Sequence, residues 1–489
     1  MRNARGIHFG CWGPSGRRFK SCLPDLTVEQ RKELGREARK RIPRSSLGGF
    51  TPQDDARDPV AILKSDDTDR VASLIPIRYG RMLTTPFAFY RGAASLMAHD
   101  LAAGANTGLH AQLCGDAHLS NFGLFAAPDR RLVFDCNDFD ETLPGPWEWD
   151  LKRLAASIVI AARSIGAKER EADQAVIEAC AHYRDRLREL AQMTNLEVWH
   201  QRLEVDRVIE VLEKTDNQEG ASAVQKAAEK AYTRDSLREF RKLTTVENGR
   251  RRIVADPPLI TPIDQIASEL GIEVSPGEIE RVIKGVLANY KGRLLMDRRH
   301  LIDQYEVVDI ARKVVGVGSV GTRVWIVLMI GRDENDPLFL QVKEAGPSVY
   351  EAYLGKSDAQ TPGQRVIHGQ RLMQGASDPL LGWESFKGVD GVVRDYYVRQ
   401  LKDWKGSAKI EKFTPDQLKN YGALCARVLA RAHARSGDRV AIAAYAGKGD
   451  ALDVAIARFA AAYADQNDRD YARMREAVES GRIEVREGI

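Results

Sequence analysis

A segment rich in reactive side chains and a glycine-rich one lie about two hundred residues apart, and any fold of this chain has to account for both. The first reads Cys114-Gly115-Asp116-Ala117-His118-Leu119-Ser120-Asn121-Phe122-Gly123. It is followed by Leu132-Val133-Phe134-Asp135-Cys136-Asn137-Asp138-Phe139-Asp140. Asp116 and Asn121 fall in a turn-rich stretch, and the acidic group ends an apolar strand. The second segment is Gly316-Val317-Gly318-Ser319-Val320-Gly321. Together these are the parts of a phosphoryl-transfer site. Such a site needs oxygens held in line and charge neutralised, and little covalent chemistry from the protein.

The glycine pattern alone is weak evidence, and its flanks decide its meaning. A dinucleotide fold needs a strand before it and a helix after it. This loop runs instead into Arg323-Val324-Trp325-Ile326-Val327-Leu328-Met329-Ile330, a β-branched stretch. Strand–glycine loop–strand is the hairpin that covers a nucleotide's phosphates. No GxxxxGK[ST] occurs, which excludes a P-loop ATPase. Leu338-Phe339-Leu340-Gln341-Val342-Lys343 supplies the strand and lysine that should follow. Gly316, Gly318, Ser319, Gly321 and Lys343 are therefore expected to hold nucleotide. The acid that pairs with Lys343 is open at this stage, between Glu351 and the adjacent Glu344.

Asp116 is expected to accept or orient the proton of an attacking hydroxyl. Asn121 and Asp138 are the expected Mg²⁺ ligands; Asp135 is the stronger rival to Asp138, ahead of Asp140. Mg²⁺ takes few protein ligands and fills its shell with phosphate and water, which suits so sparse a set. His118 holds the loop, with a direct catalytic part as the lesser reading. Asp150 is expected to cap the helix that follows it.

Arg78, Arg81 and Arg91 crowd the approach to the first loop. They would grip phosphate or an anionic acceptor, or else pair with the acids of 135–150. Arg36, Arg39, Lys40, Arg41 and Arg44 form a basic cluster best read as a solvated face. Apolar spacing predicts helices over 84–103, 149–163, 200–245, 276–293, 362–374 and from 413 onward. Strands are predicted at Val307–Val315, Val324–Ile330, Leu338–Lys343 and Tyr396–Leu401.

The 489 residues carry a net charge of +4, which gives no reason to expect nucleic acid. Nine histidines show no HExxH, and six scattered cysteines show no CxxC, as for reduced thiols in the cytoplasm. No apolar run is long enough to span a membrane. Met1–Lys20 lacks a secretory core and is expected to be a disordered leader.

Residues 115–155 resemble the catalytic segment of aminoglycoside-phosphotransferase-like kinases. Their loop reads His-Gly-Asp-x-His-x-x-Asn, then Ile-Asp-Phe/Trp-Glu and Pro-x-x-x-Asp-Leu. The counterparts are Gly115-Asp116-Ala117-His118-Leu119-Ser120-Asn121, Asn137-Asp138-Phe139-Asp140 and Pro146-Trp147-Glu148-Trp149-Asp150-Leu151, with Cys114 in place of the first histidine. Over about 30–489 the chain also resembles a bacterial family of domains of unknown function. Arg78-Tyr79-Gly80-Arg81-Met82, Pro86–Gly92, Gln341–Ala345 and Leu429–Asp438 carry that likeness.

The resemblance implies an α+β, protein-kinase-like two-lobe fold with a mostly helical larger lobe and a small antiparallel β lobe. Leu429-Ala430-Arg431-Ala432-His433 looks like the helix that precedes such a catalytic loop, yet it comes after the loop. The expected fold is thus circularly permuted. Its parts are an N-terminal extension (1–77), a helical lobe with the loops (78–300), a β-rich nucleotide lobe (301–405) and closing helices (406–489). The implied activity is ATP- and Mg²⁺-dependent phosphoryl transfer to a small-molecule hydroxyl. The alternatives are AMP transfer to a protein, and a non-catalytic nucleotide-binding regulator. The acceptor is not named by the sequence.

Overall fold

Short strands carry the first loop. β1 (His110–Leu113) pairs antiparallel with β4 (Leu143–Pro146), and β2 (Phe122–Ala126) with β3 (Leu132–Cys136). Phe122 lies opposite Cys136, so Asn121 before β2 and Asn137-Asp138 after β3 emerge side by side. The structure, a computed structural model, describes residues 26–51, 57–214, 218–263, 265–266, 276–387, 391–401 and 403–489. The leader, Cys11, Cys22, Asp54 and Asp55 lie outside them.

These strands rest on long helices. In Glu148–Ser164 the stripe Leu151, Leu154, Ala155, Ile158 and Ala162 is fully buried. Each large apolar side chain so buried contributes roughly 1.5–3 kcal/mol. Its small residues let Glu169–Leu190, Pro415–Ser436 and Ala451–Glu479 pack close against it. Pro415–Ser436 starts at a Thr414 capping box with proline in the first turn, the signals that fix a helix start.

A β-hairpin, β5 (Thr244–Glu247) and β6 (Arg250–Ile253), precedes the main sheet. That sheet holds β7 (Ile260–Pro262), β8 (Glu306–Lys313), β9 (Val324–Ile330), β10 (Pro337–Ala345), β11 (Gly382–Lys387) and β12 (Val393–Gln400). Its order is β11-β12-β10-β9-β8-β7, every pair antiparallel. β13 (Gly406–Ser407) returns to pair with β2. Alternation sorts the side chains. Leu340, Val342, Met329 and Val398 face Leu287 and Tyr290 of helix Pro276–Arg293. Ile326, Leu328 and Phe339 face Phe240, Leu243 and Ile253. Ala345 and Tyr397 enter the core among the long helices beside Tyr350 and Ile367.

The mixed α+β class stands, and helices outweigh antiparallel sheet. Three local expectations change. β7 and helix Pro276–Arg293, expected in the helical lobe, build the sheet instead. The helix over 84–103 divides at Ala93 (φ −114°, ψ 40°), where Gly92 lies against Met82 too closely for a Cβ. The stretch 200–245 divides into three helices and ends in β5. Among the described residues no helix is long and apolar enough to cross a membrane, and Cys114, Cys136, Cys180 and Cys425 are free and buried. The N-terminal basic cluster is largely spent: Arg36 and Lys40 pair with Glu29, Glu33 and Glu37, while Arg41 and Arg44 donate to backbone carbonyls.

Candidate active site

Gly115 turns the first loop with φ +86°, and a Cβ there would stand 2.2 Å from the Glu141 carbonyl oxygen. Only glycine allows that conformation and that approach. The loop is held from behind. Asp150 accepts from the backbone N–H of Cys114 (2.7 Å) and Gly115 (3.0 Å), and from His433 Nε2 (3.2 Å). Tyr183 in turn meets His433 Nδ1 at 2.8 Å. Asp150 therefore anchors the loop; the expectation that it caps its own helix is corrected. The Tyr350 hydroxyl donates to the Gly115 carbonyl (2.6 Å).

Asp116 Oδ1 accepts from Arg153 Nε at 2.8 Å, and its Oδ2 lies 3.4 Å from His118 Nε2. Arg153 is wholly buried and also donates to the Tyr90 carbonyl (2.8 Å), with its guanidinium over the Tyr90 ring. Burial works against ionising Asp116, but contact with His118 and the charge of Arg153, each with a hydrogen bond, outweigh it and hold the carboxyl well below the usual range. Burial pushes His118 down. Arg153 was missed by sequence reasoning. Its one trace is a cation that directly precedes the apolar run of its helix, next to Leu154 and Ala155.

The Asn121 amide nitrogen donates to the carbonyls of Asp116 (2.8 Å) and Asp138 (3.1 Å). Those two acceptors fix the amide's orientation and leave its oxygen as the group for a cation. Asn121 thus ties the first loop to the second.

Lys343 is 2% exposed. Its ammonium contacts Asp140 Oδ2 and lies 3.9 Å from Asp138 Oδ2. Asp140 also accepts from the Tyr397 hydroxyl (2.7 Å) and from Ser319 Oγ (3.4 Å). Burial opposes the Lys343 charge, yet Asp138 and Asp140 raise its pKa well above the lysine range; Asp140 is lowered in return. The partner of Lys343 is thus Asp140. Glu351 sits 3.7 Å from Arg365 and accepts from the Ser348 N–H, and Glu344 accepts from Arg323. Neither is the acid expected beside Lys343.

Asp135 pairs with Arg431 and accepts from the N–H of Gly375 (3.0 Å) and Cys136 (2.8 Å). It is saturated and buried, which removes it as a metal ligand. The side chain of Asp138 is 40% exposed, the most open of the three acids. Among the described residues no three His, Cys, Asp or Glu side chains form a metal cage. Asn121 and Asp138 fit a cation that takes two protein ligands and completes its shell with phosphate and water.

The three arginines separate. Arg78 is buried against Asp67 (2.9 Å) and Asp66 (3.7 Å), a structural pair. Arg81 donates to the Gly316 carbonyl (2.9 Å) and supports the glycine loop. Arg91 alone stands near Asp116 without a hydrogen bond to its buried Nε. Arg365, whose role the sequence did not reveal, donates to the carbonyls of Asp140 (2.7 Å), Thr142 (2.6 Å) and Gly346 (2.9 Å). A cavity of about 250 Å³ lies past Asn137 and Arg399, lined also by Gln400, Leu401 and Asp403. Asp116, Asp138 and Lys343 are not in its wall.

Residues 70–477 match the family described as an uncharacterized protein conserved in bacteria (DUF2252). The chain belongs to this family. The DUF2252 match is narrower than the resemblance over 30–489, but it contains both halves of the site, from Arg78 to Asp150 and from Gly316 to Arg365. The DUF2252 span also takes in His433, which holds the first loop from behind. Neither a curated protein nor a solved structure matches the chain.

Proposed function

We propose that this chain is an ATP- and Mg²⁺-dependent phosphotransferase with a kinase-like, circularly permuted two-lobe fold, acting on a hydroxyl of a small molecule. One observation carries the reading. Lys343 converges on Asp138 and on Asp140, the latter 203 residues away in sequence, in the same cluster as Asp116 and Asn121. A lysine at the end of a strand has no structural need of two acids from another lobe. A site for phosphates and a cation does.

In this reading Lys343 and the loop Gly316–Gly321 hold the phosphates, and Asn121 and Asp138 hold Mg²⁺, which neutralises phosphate charge. Asp116, kept ionised by Arg153 and His118, orients the acceptor hydroxyl. The hydroxyl oxygen bonds to the γ-phosphorus, the bond to the β–γ bridging oxygen breaks, and ADP leaves with the electron pair. The hydroxyl proton passes to Asp116 as the new bond makes it acidic, then to water. The permutation draws support from one junction. The helix Pro415–Ser436 ends against β1, with Ser436 Oγ accepting from the Gln112 N–H (3.2 Å). Non-covalent contact there takes the place of the direct chain connection of an unpermuted kinase.

The test is nucleotide product analysis with Mg·ATP and a small-molecule extract, beside Asp116→Asn. ADP that falls at least a hundredfold in the variant, with nucleotide binding retained, is the expected outcome. AMP and pyrophosphate would mean nucleotidyl transfer. Nucleotide bound with no product from either protein would leave the regulator reading.

A further inference from the structure

We infer that the acceptor carries, besides its hydroxyl, an anionic group, a carboxylate or a phosphate, and that Arg91 binds it. This rests on the phosphotransferase reading and adds the substrate class to it.

The arginines around the first loop set the contrast. Arg153 is spent on Asp116 and the Tyr90 carbonyl. Arg78 is spent on Asp66 and Asp67, and Arg81 on the Gly316 carbonyl. Arg91 follows Tyr90 on helix Pro86–Gly92, whose start is fixed by the Thr85 cap and Pro86. Its Nε is sealed from solvent and donates to nothing. It enters no ion pair among the described residues. Burial lowers its pKa, and only the more distant charges of Asp116 and Glu411 work the other way.

A partly buried guanidinium without a partner is unfavourable, and a fold keeps one where something else completes it. The guanidinium fork is shaped for carboxylate or phosphate oxygens. Arg91 also lies under the nucleotide loop: a Cβ built on Gly318 would be 3.5 Å from the Arg91 carbonyl. Its charge reaches His118 as well as Asp116. The vacant cation therefore borders both the glycine loop and the residue that would orient the acceptor hydroxyl.

What the site lacks is one anionic partner for the Arg91 fork. A hydroxy acid or a polyol phosphate supplies that partner while its hydroxyl meets Asp116; a neutral polyol does not.

The experiment is calorimetric titration of the full chain with its nucleotide site filled by the magnesium complex of AMP-PNP. The probes are inorganic phosphate, malonate, glycerol, glycerate and glycerol 3-phosphate. The expected result is binding of the anionic probes and not of glycerol, with affinity at least tenfold weaker in Arg91→Gln and AMP-PNP affinity changed less than twofold. Phosphate against malonate, and glycerol 3-phosphate against glycerate, tell which anion the fork prefers. Retained AMP-PNP binding shows that the variant is folded. Arg91→Lys, which keeps the charge and loses the fork, should fall between.

Three outcomes overturn the inference: anions that bind Arg91→Gln as well as they bind the wild type, glycerol that binds as well as glycerate, or a loss confined to AMP-PNP. If AMP-PNP binds neither protein, the phosphotransferase reading fails. The same anion titration without nucleotide then still decides whether Arg91 holds an anion.

Discussion

Glu141 shows how one side chain can report the state of this site. It follows Asp140, accepts from the Val349 N–H at 2.8 Å, and lies near Asp116 and Asp140. Burial, helped by those two acids and opposed by Arg365, pushes its carboxyl from an ordinary 4.5 up to about 7. Between those values the folded chain keeps a proton that the unfolded chain has released. The stability linked to Glu141 is therefore complete below pH 4.5 and is lost as the pH rises toward 7. Glu141→Gln keeps an acceptor for Val349 and removes the ionisation. It should be more stable than the wild type at pH 8, by about 1–3 kcal/mol, and no different at pH 4. Denaturant unfolding at the two pH values measures this. Equal differences at both would mean that Glu141 is not held protonated.

The helix Pro362–Met373 does at the level of an element what no loop residue does alone. Thr361 caps it and Pro362 opens it, so its start is fixed locally. It then docks on the acidic loops through Arg365 to three carbonyls, and just beyond its end through Gln374 to the Cys136 carbonyl (2.7 Å). Arg365→Ala leaves those carbonyls with poorer partners and should cost about 2–4 kcal/mol in chemical denaturation. Arg365→Lys should recover little, because a compact ammonium does not span the separated carbonyls that the broad guanidinium fork reaches with two nitrogens. Full recovery by lysine would reduce the contact to simple charge.

The sequence made this helix visible, with β8, β9, β10 and β12, because Val- and Ile-rich runs and capping signals act within a few residues. It also placed Asp116, Asn121, Asp138 and Lys343 in one constellation, and these do converge. It did not reveal which acid serves which base. Asp135 finds Arg431 across 296 positions and Lys343 finds Asp140 across 203. Such pairings follow from packing, not spacing. β1 and β4 escaped notice as well, being four residues long and, in β4, broken by two prolines and a glycine.

At the scale of the whole molecule, the sheet is not an independent lobe. The end of β10 at Ala345, together with Tyr350, Ile367 and Tyr397, belongs to the same core as Leu154, Ile158 and Leu429. The far end packs separately, on Leu287, Tyr290 and Phe240. The joint between the two regions therefore lies at Lys343, whose ammonium crosses to Asp138 and Asp140. A ligand that bridges Lys343 and the acids through a metal would stabilise both regions together, since whatever binds only the folded state raises its stability by mass action. Mg·AMP-PNP at a hundred times its dissociation constant adds about 2.7 kcal/mol. With an unfolding entropy near 2 cal/mol/K per residue, that is an upward shift of roughly 2–3 °C for a chain of this size. The shift should appear as one transition, vanish when EDTA removes Mg²⁺, and be absent in Lys343→Ala. Two transitions, only one of them moved by nucleotide, would mean that the shared core at Ala345 and Tyr397 does not couple the sheet to the helices. A shift that survives EDTA would separate nucleotide binding from the metal and from Asp138.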